Sequence, residues 1–149
     1  ETGFNRNFVK KINFEKKNDE KFLILSGTHN GYLTNYNKIC KRTLFISKKR
    51  ELLKGEDTII STKSITEKNV YHIRFHLMPE ISTILTENKK NIIIKTKKNN
   101  IWMFKSNKEL LLEKSIFVSN DIANETNQIV ISGVTSSLNT KINWTLEKI

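Results

Sequence analysis

A chain of 149 residues is the size of one domain with a sizeable core. No apolar run is long enough to span a bilayer, and an opening at Glu1 without Met or apolar leader suggests a mature product or the C-terminal end of a longer protein. Lys and Arg total 26 against 15 acidic residues, a charge of +11 that attracts polyanions, although the same abundance of Lys, Asn and Ile is what an AT-rich gene encodes.

Taken in order, the chain reads as short strand-like runs separated by polar turns. Residues 8–14 alternate imperfectly and 15–20 read as a charged turn. Four apolar residues in a row, 22–25, fit a strand covered on both faces. The next strand is expected over 43–47, with Lys48-Lys49-Arg50 as its turn. Another spans 52–60, interrupted at Gly55 by a bulge. Residues 70–77 alternate strictly, which puts Tyr71, Ile73, Phe75 and Leu77 on a core face. Val70, His72, Arg74 and His76 fall on the opposite face, expected to be exposed or to line a groove. Further short strands follow over 81–85, 92–94, 101–104, 110–112, 115–118, 128–132 and 142–146.

No helical period is sustained over ten or more positions, and β-branched and aromatic residues dominate the apolar set. The pattern predicts an all-β fold, an antiparallel β-sandwich of stacked sheets with about ten short strands. Residues 1–20 are expected to be an edge strand or a remnant of a preceding domain, and 21–149 the sandwich itself. The single cysteine, Cys40, has no disulfide partner within the chain and reads as a small, buried or half-buried residue. The sequons at Asn124 and Asn143 read as incidental.

Five residues are candidates for binding an anionic ligand: His29, Tyr32, Arg42, Arg74 and His76. In His29-Asn30-Gly31-Tyr32 an imidazole and a phenol flank a turn, and a phenol can stack on a sugar face. The same four residues also read as a tight loop with Gly31 at positive φ and Tyr32 plugged into the core. Arg42 is suited to a bidentate pair, with a uronate carboxylate or with Glu56 or Asp57 across a hairpin. His72, Arg74 and His76 at period two suit an anion, a metal or plain surface packing, without zinc-like spacing. Lysines 89, 90, 95, 97 and 98 surround a hairpin near Trp102, and suit a polyanion or a guarded sheet edge. Trp102 and Trp144 read as core or inter-sheet residues. Phosphate-loop, dinucleotide, Gly-x-Ser-x-Gly and His-Glu-x-x-His motifs are absent from the sequence.

The stretch from Phe22 to Asp57 carries a family likeness. Phe22-Leu23-Ile24-Leu25 leads into Ser26-Gly27-Thr28-His29-Asn30-Gly31-Tyr32, then Ile39-Cys40-Lys41-Arg42-Thr43-Leu44, then Leu53-Lys54-Gly55-Glu56-Asp57. This resembles the heparinase II/III-like polysaccharide lyases, where a His-Asp-Gly-Tyr element precedes a His-x-Arg-x-Leu strand and a Leu-x-Gly-Glu-Asp turn. The likeness continues through Ile73-Arg74-Phe75-His76-Leu77, Glu113-x-Ser115 and the run from Gln128 to Gly133. Asn30 stands where the family has Asp, and Cys40 where it has His, so the roles of those groups do not carry over.

The resemblance implies the C-terminal β-sheet domain of an enzyme that cleaves acidic polysaccharide by β-elimination. It implies an N-terminal helical catalytic domain as partner, a zinc site upstream of this stretch and a bacterial periplasm or cell envelope as location. No catalytic or metal residue carries over onto this chain, which is expected to be inactive alone. No cofactor, membrane insertion or nucleic-acid partner is expected. The alternative is a stand-alone polyanion- or carbohydrate-binding β-domain, with a basic nucleic-acid-binding barrel as a third.

Overall fold

The computed structural model describes residues 11–63 and 68–149, so the part of the first expected strand before residue 11 lies outside it. In chain order the elements are β1 (Ile12–Asn18), β2 (Phe22–His29), the helix α1 (Leu33–Tyr36), β3 (Lys38–Ser47), β4 (Leu52–Ser61) and β5 (Val70–His76). They continue with β6 (Ser82–Leu85), β7 (Asn91–Lys95), β8 (Ile101–Ser106), β9 (Leu110–Ser119), β10 (Ile122–Val134) and β11 (Asn139–Lys148). Two sheets result. One has eight strands in the order β1-β2-β3-β4-β11-β8-β7-β6, the other three in the order β5-β10-β9. Every pairing is antiparallel. The all-β sandwich expected from the two-residue periodicity is the fold.

Local chemistry explains where several strands begin and end. β1 continues through Glu15, Lys16 and Lys17, which pair with Ser26, Leu25 and Ile24, so the charged run is edge strand and not turn. Charge on an edge strand is cheap because its outer side faces water. The chain reverses at Asp19, whose carboxylate accepts the Phe22 N–H at 2.6 Å and the Lys21 N–H at 2.7 Å. Those bonds, Phe22 first, hold its carboxyl below the usual aspartate range. The ammonium of Lys48 adds a bond to the Asp19 carbonyl.

Residues 22–25 are half-buried, not covered on both faces as the apolar run suggested. Phe22 meets Phe45 edge-on at 6.2 Å under the Lys54 ammonium, which leaves that side partly open. β4 is also unbroken. Lys54, Gly55 and Glu56 pair in sequence with Phe45, Leu44 and Thr43, so the expected bulge is absent. Gly55 instead makes room for the Trp144 indole lying across it.

β5 follows the predicted alternation, with Tyr71, Ile73 and Phe75 inward and Val70, His72, Arg74 and His76 exposed. The two apolar runs expected over 110–118 form one strand, β9, hairpinned to β10. At the tip Asn120 and Asp121 both take positive φ, as a two-residue hairpin turn demands.

The core lies under one half of the large sheet. Ile92, Ile94, Phe104, Ile142 and Trp144 from β7, β8 and β11 pack against Leu110, Ile129 and Ile131 from the small sheet. β1, β2 and β3 contribute no fully buried residue to that cluster. Their inner face is therefore only flanked by the small sheet, at its edge strand β5.

Candidate functional site

The step between the uncovered strands and β5 forms a groove of about 840 Å³. One wall is the inner face of β2, β3 and β4, with Gly27, His29, Cys40, Arg42, Asp57 and Ile59. The other is β5 from Val70 to Arg74. Ile12, Tyr32 and Tyr36 border it on the side of β1 and α1.

The rim by α1 is aromatic. The turn after β2 is closed by the Asn30 carbonyl, which accepts the Leu33 N–H at 3.0 Å, and by the Gly31 N–H donating to His29 Nδ1 at 3.3 Å. Positive φ falls not on Gly31 but on Asn37, the helix C-cap. His29, Tyr32 and Tyr36 follow one another with ring centroids 5.7 Å and 6.2 Å apart. Tyr32 is 50% exposed and Tyr36 47%, so Tyr32 does not plug the core. Such rings offer flat apolar faces with polar tips.

The floor holds a charge cluster. Arg42 and Asp57 face each other across β3 and β4, and Arg42 donates Nε and Nη2 to the two carboxylate oxygens at 2.6 Å and 3.0 Å. Asp57 also accepts the Trp144 indole N–H at 2.9 Å. The guanidinium sits over the rings of Phe75 at 5.3 Å and Trp144 at 5.8 Å. This is the hairpin ion pair that the sequence offered as one of Arg42's options. Its charge is thus internally balanced. Beside it the Cys40 thiol is pushed up, first by burial and then by the Asp57 carboxylate, so Cys40 stays protonated and half-buried.

Arg74, at the other wall, is paired with Glu113 on β9. His72 bonds Ser132 at 2.8 Å and His76 bonds Ser115 at 2.8 Å, both across the exposed side of the small sheet. The groove thus brings His29, Tyr32, Arg42 and Arg74 together, while His76 lies outside its lining. Among the described residues no three His, Cys, Asp or Glu side chains are grouped to hold a metal ion.

Tyr36, Asn69 and Lys38 on the groove are not singled out by the sequence, and of these Lys38 is buried, only 7% exposed. The alternation Lys38, Cys40, Arg42 would have placed it on the groove face, had β3 been read from its true start.

The fold and groove define an antiparallel β-sandwich with one long, half-covered sheet. The chain belongs to the heparinase II/III-like C-terminal family, whose model matches residues 4–145. Its fold is similar to heparan sulfate lyase HepC from Pedobacter heparinus, at 12% identity and a TM-score of 0.77, covering 93% of this chain and 22% of that one. Two heparinase III structures are similar over 95% of this chain and 22% of theirs, at 14% and 7% identity with TM-scores of 0.74 and 0.75. No curated protein sequence matches the chain.

Proposed function

We propose that this chain works as the C-terminal sandwich of a larger lyase that cleaves uronate-containing polysaccharide by β-elimination. It buttresses a helical catalytic domain and turns its groove toward the acidic glycan. The reacting groups, and any structural zinc, come from the preceding part of that protein. A bacterial periplasm or cell envelope, where such glycans are met, is the setting.

The observation that carries this reading is the open half of the large sheet. Ile12, which borders the groove with Tyr32 and Tyr36, is 71% exposed, and Phe14 further along β1 is 66% exposed. Apolar surface gathered on one face of a sheet marks a contact with another body. That the solved lyases are several times longer than this chain supplies such a body. Aromatic faces bordering a groove in a chain of charge +11 suit an anionic sugar polymer.

The test is ultraviolet absorbance of unsaturated uronate on incubation with heparan sulfate and other uronate glycans. The protein encoded by the complete gene should release it, and the 149-residue chain alone should not. A complete protein that leaves every such glycan intact overturns the proposal, as does cleavage by the chain alone. The net charge favours one second reading, a plain polyanion-binding domain. Equal affinity for duplex DNA and heparin, with the same steep salt slope, would support it.

A further inference from the structure

We infer that Lys38 is the anion anchor of the groove, taking a carboxylate or sulfate oxygen of an acidic sugar stacked near Tyr32 and Tyr36. This rests on the reading of the groove as a glycan-contacting surface and names the residue that recognises the charge. Lys38 opens β3 directly after α1, and its N–H is tied to the Tyr32 carbonyl at 3.3 Å. Its side chain is buried against the groove and donates to Ser61 Oγ at 2.7 Å. An ammonium carries three N–H donors, and a hydroxyl satisfies one of them without cancelling charge. Among the described residues no carboxylate pairs with Lys38, whereas Arg42 and Arg74 each have one. A buried cation left without a counter-charge is costly, and a docking anion removes that cost.

A second group points the same way. Asn69, also on the groove, is fixed through its backbone by Thr135: its N–H donates to Thr135 Oγ1 at 3.0 Å, and its carbonyl accepts the Thr135 N–H at 2.9 Å. Its side-chain Oδ1 is buried and accepts no hydrogen bond among the described residues. A sugar offers both complements, an anionic oxygen for the ammonium and hydroxyl donors for a lone acceptor. The charges noted first in the sequence, Arg42 and Arg74, are already neutralised. Among the described residues Lys38 is the buried groove cation without a carboxylate partner, while Lys41, also on the groove, is half-buried.

Calorimetric titration of the 149-residue chain with an unsulfated uronate tetrasaccharide, a sulfated one and a neutral one tests this. Lys38→Met should weaken binding of the acidic sugars by about tenfold to a hundredfold, the worth of a hydrogen bond to a charged group. Whichever acidic sugar loses more identifies carboxylate or sulfate as the anchored group. The melting temperature of Lys38→Met should hold or rise, because an unpaired buried charge is removed. Unchanged affinity in Lys38→Met overturns the anchor and leaves the groove reading standing. So does a variant that melts lower and weakens acidic and neutral sugars alike, which would make Lys38 a structural residue. A wild-type chain that binds no acidic sugar overturns both, and leaves Lys38 to a carboxylate from another part of the protein.

Discussion

Gly55→Ala should lower the melting temperature of the chain by at least about 6–12 °C. A Cβ at this position would lie 2.2 Å from Cε2 and Cζ2 of Trp144 and 2.8 Å from Cδ2. Relief requires the indole to move, and the indole is held from three sides. Its N–H donates to Asp57 at 2.9 Å, its ring stacks on Phe104 at 5.7 Å, and Phe75 meets it edge-on at 4.8 Å. Overpacking in a core that cannot yield costs about 3 kcal/mol or more. For a domain of this size each kcal/mol shifts the melting point by about 2–4 °C. Gly27→Ala is the control. No atom lies within 4 Å of a Cβ there, so it should change stability little. Thermal unfolding of the two variants side by side separates the loss of a close approach from the general effect of replacing a strand glycine.

Asp57→Ala should be the second severe substitution, at about 2–4 kcal/mol. The carboxylate accepts two bonds from Arg42 and one from Trp144, so its loss leaves a guanidinium and a buried indole N–H without their acceptor. Removing one partner of a fully buried pair costs about 3–5 kcal/mol. The Arg42 side chain is 43% exposed, which lets water recover part of its solvation and lowers that figure. Denaturant unfolding of Asp57→Ala, Arg42→Ala and the double variant should show a coupling of about 1–2 kcal/mol. Additive effects would mean the pair contributes through its separate ring contacts alone. Asp57→Asn should fall between, because an amide oxygen still accepts the indole proton.

Much of the sandwich was legible before any coordinates. The strict alternation of β5 predicted its core face, because Phe75 and Tyr71 repeat at the pleat's own period. The sequence leaves Arg42 a uronate carboxylate, Glu56 or Asp57 as partner, and the cross-strand register of β3 and β4 selects Asp57. Gly55 misled because a glycine inside a strand looks alike whether it opens a bulge or clears space for an aromatic ring across the sheet. Only the cross-strand partner, Trp144, distinguishes the two, and it lies far away in sequence. The charged run at Glu15 to Lys17 hid an edge strand, since charges serve both edges and turns.

The groove's residues were legible in part, since His29, Tyr32, Arg42 and the His72–Arg74 face of β5 all line it, but its shape was not. It depends on β11 inserting between β4 and β8, and on the small sheet stopping at β5 short of β1 to β3. Neither follows from periodicity. Lys38 was missed because the strand was begun at Thr43, so its face was never assigned.

The most direct measurement of the account is amide chemical-shift mapping of the chain titrated with an unsulfated uronate tetrasaccharide. Saturable shifts gathered on Tyr32, Tyr36, Lys38, Cys40 and Asn69, along the open half of the large sheet, are the predicted result. Shifts confined to the lysine-rich hairpin around 89–98, or spread over all basic surface without saturation, would contradict it.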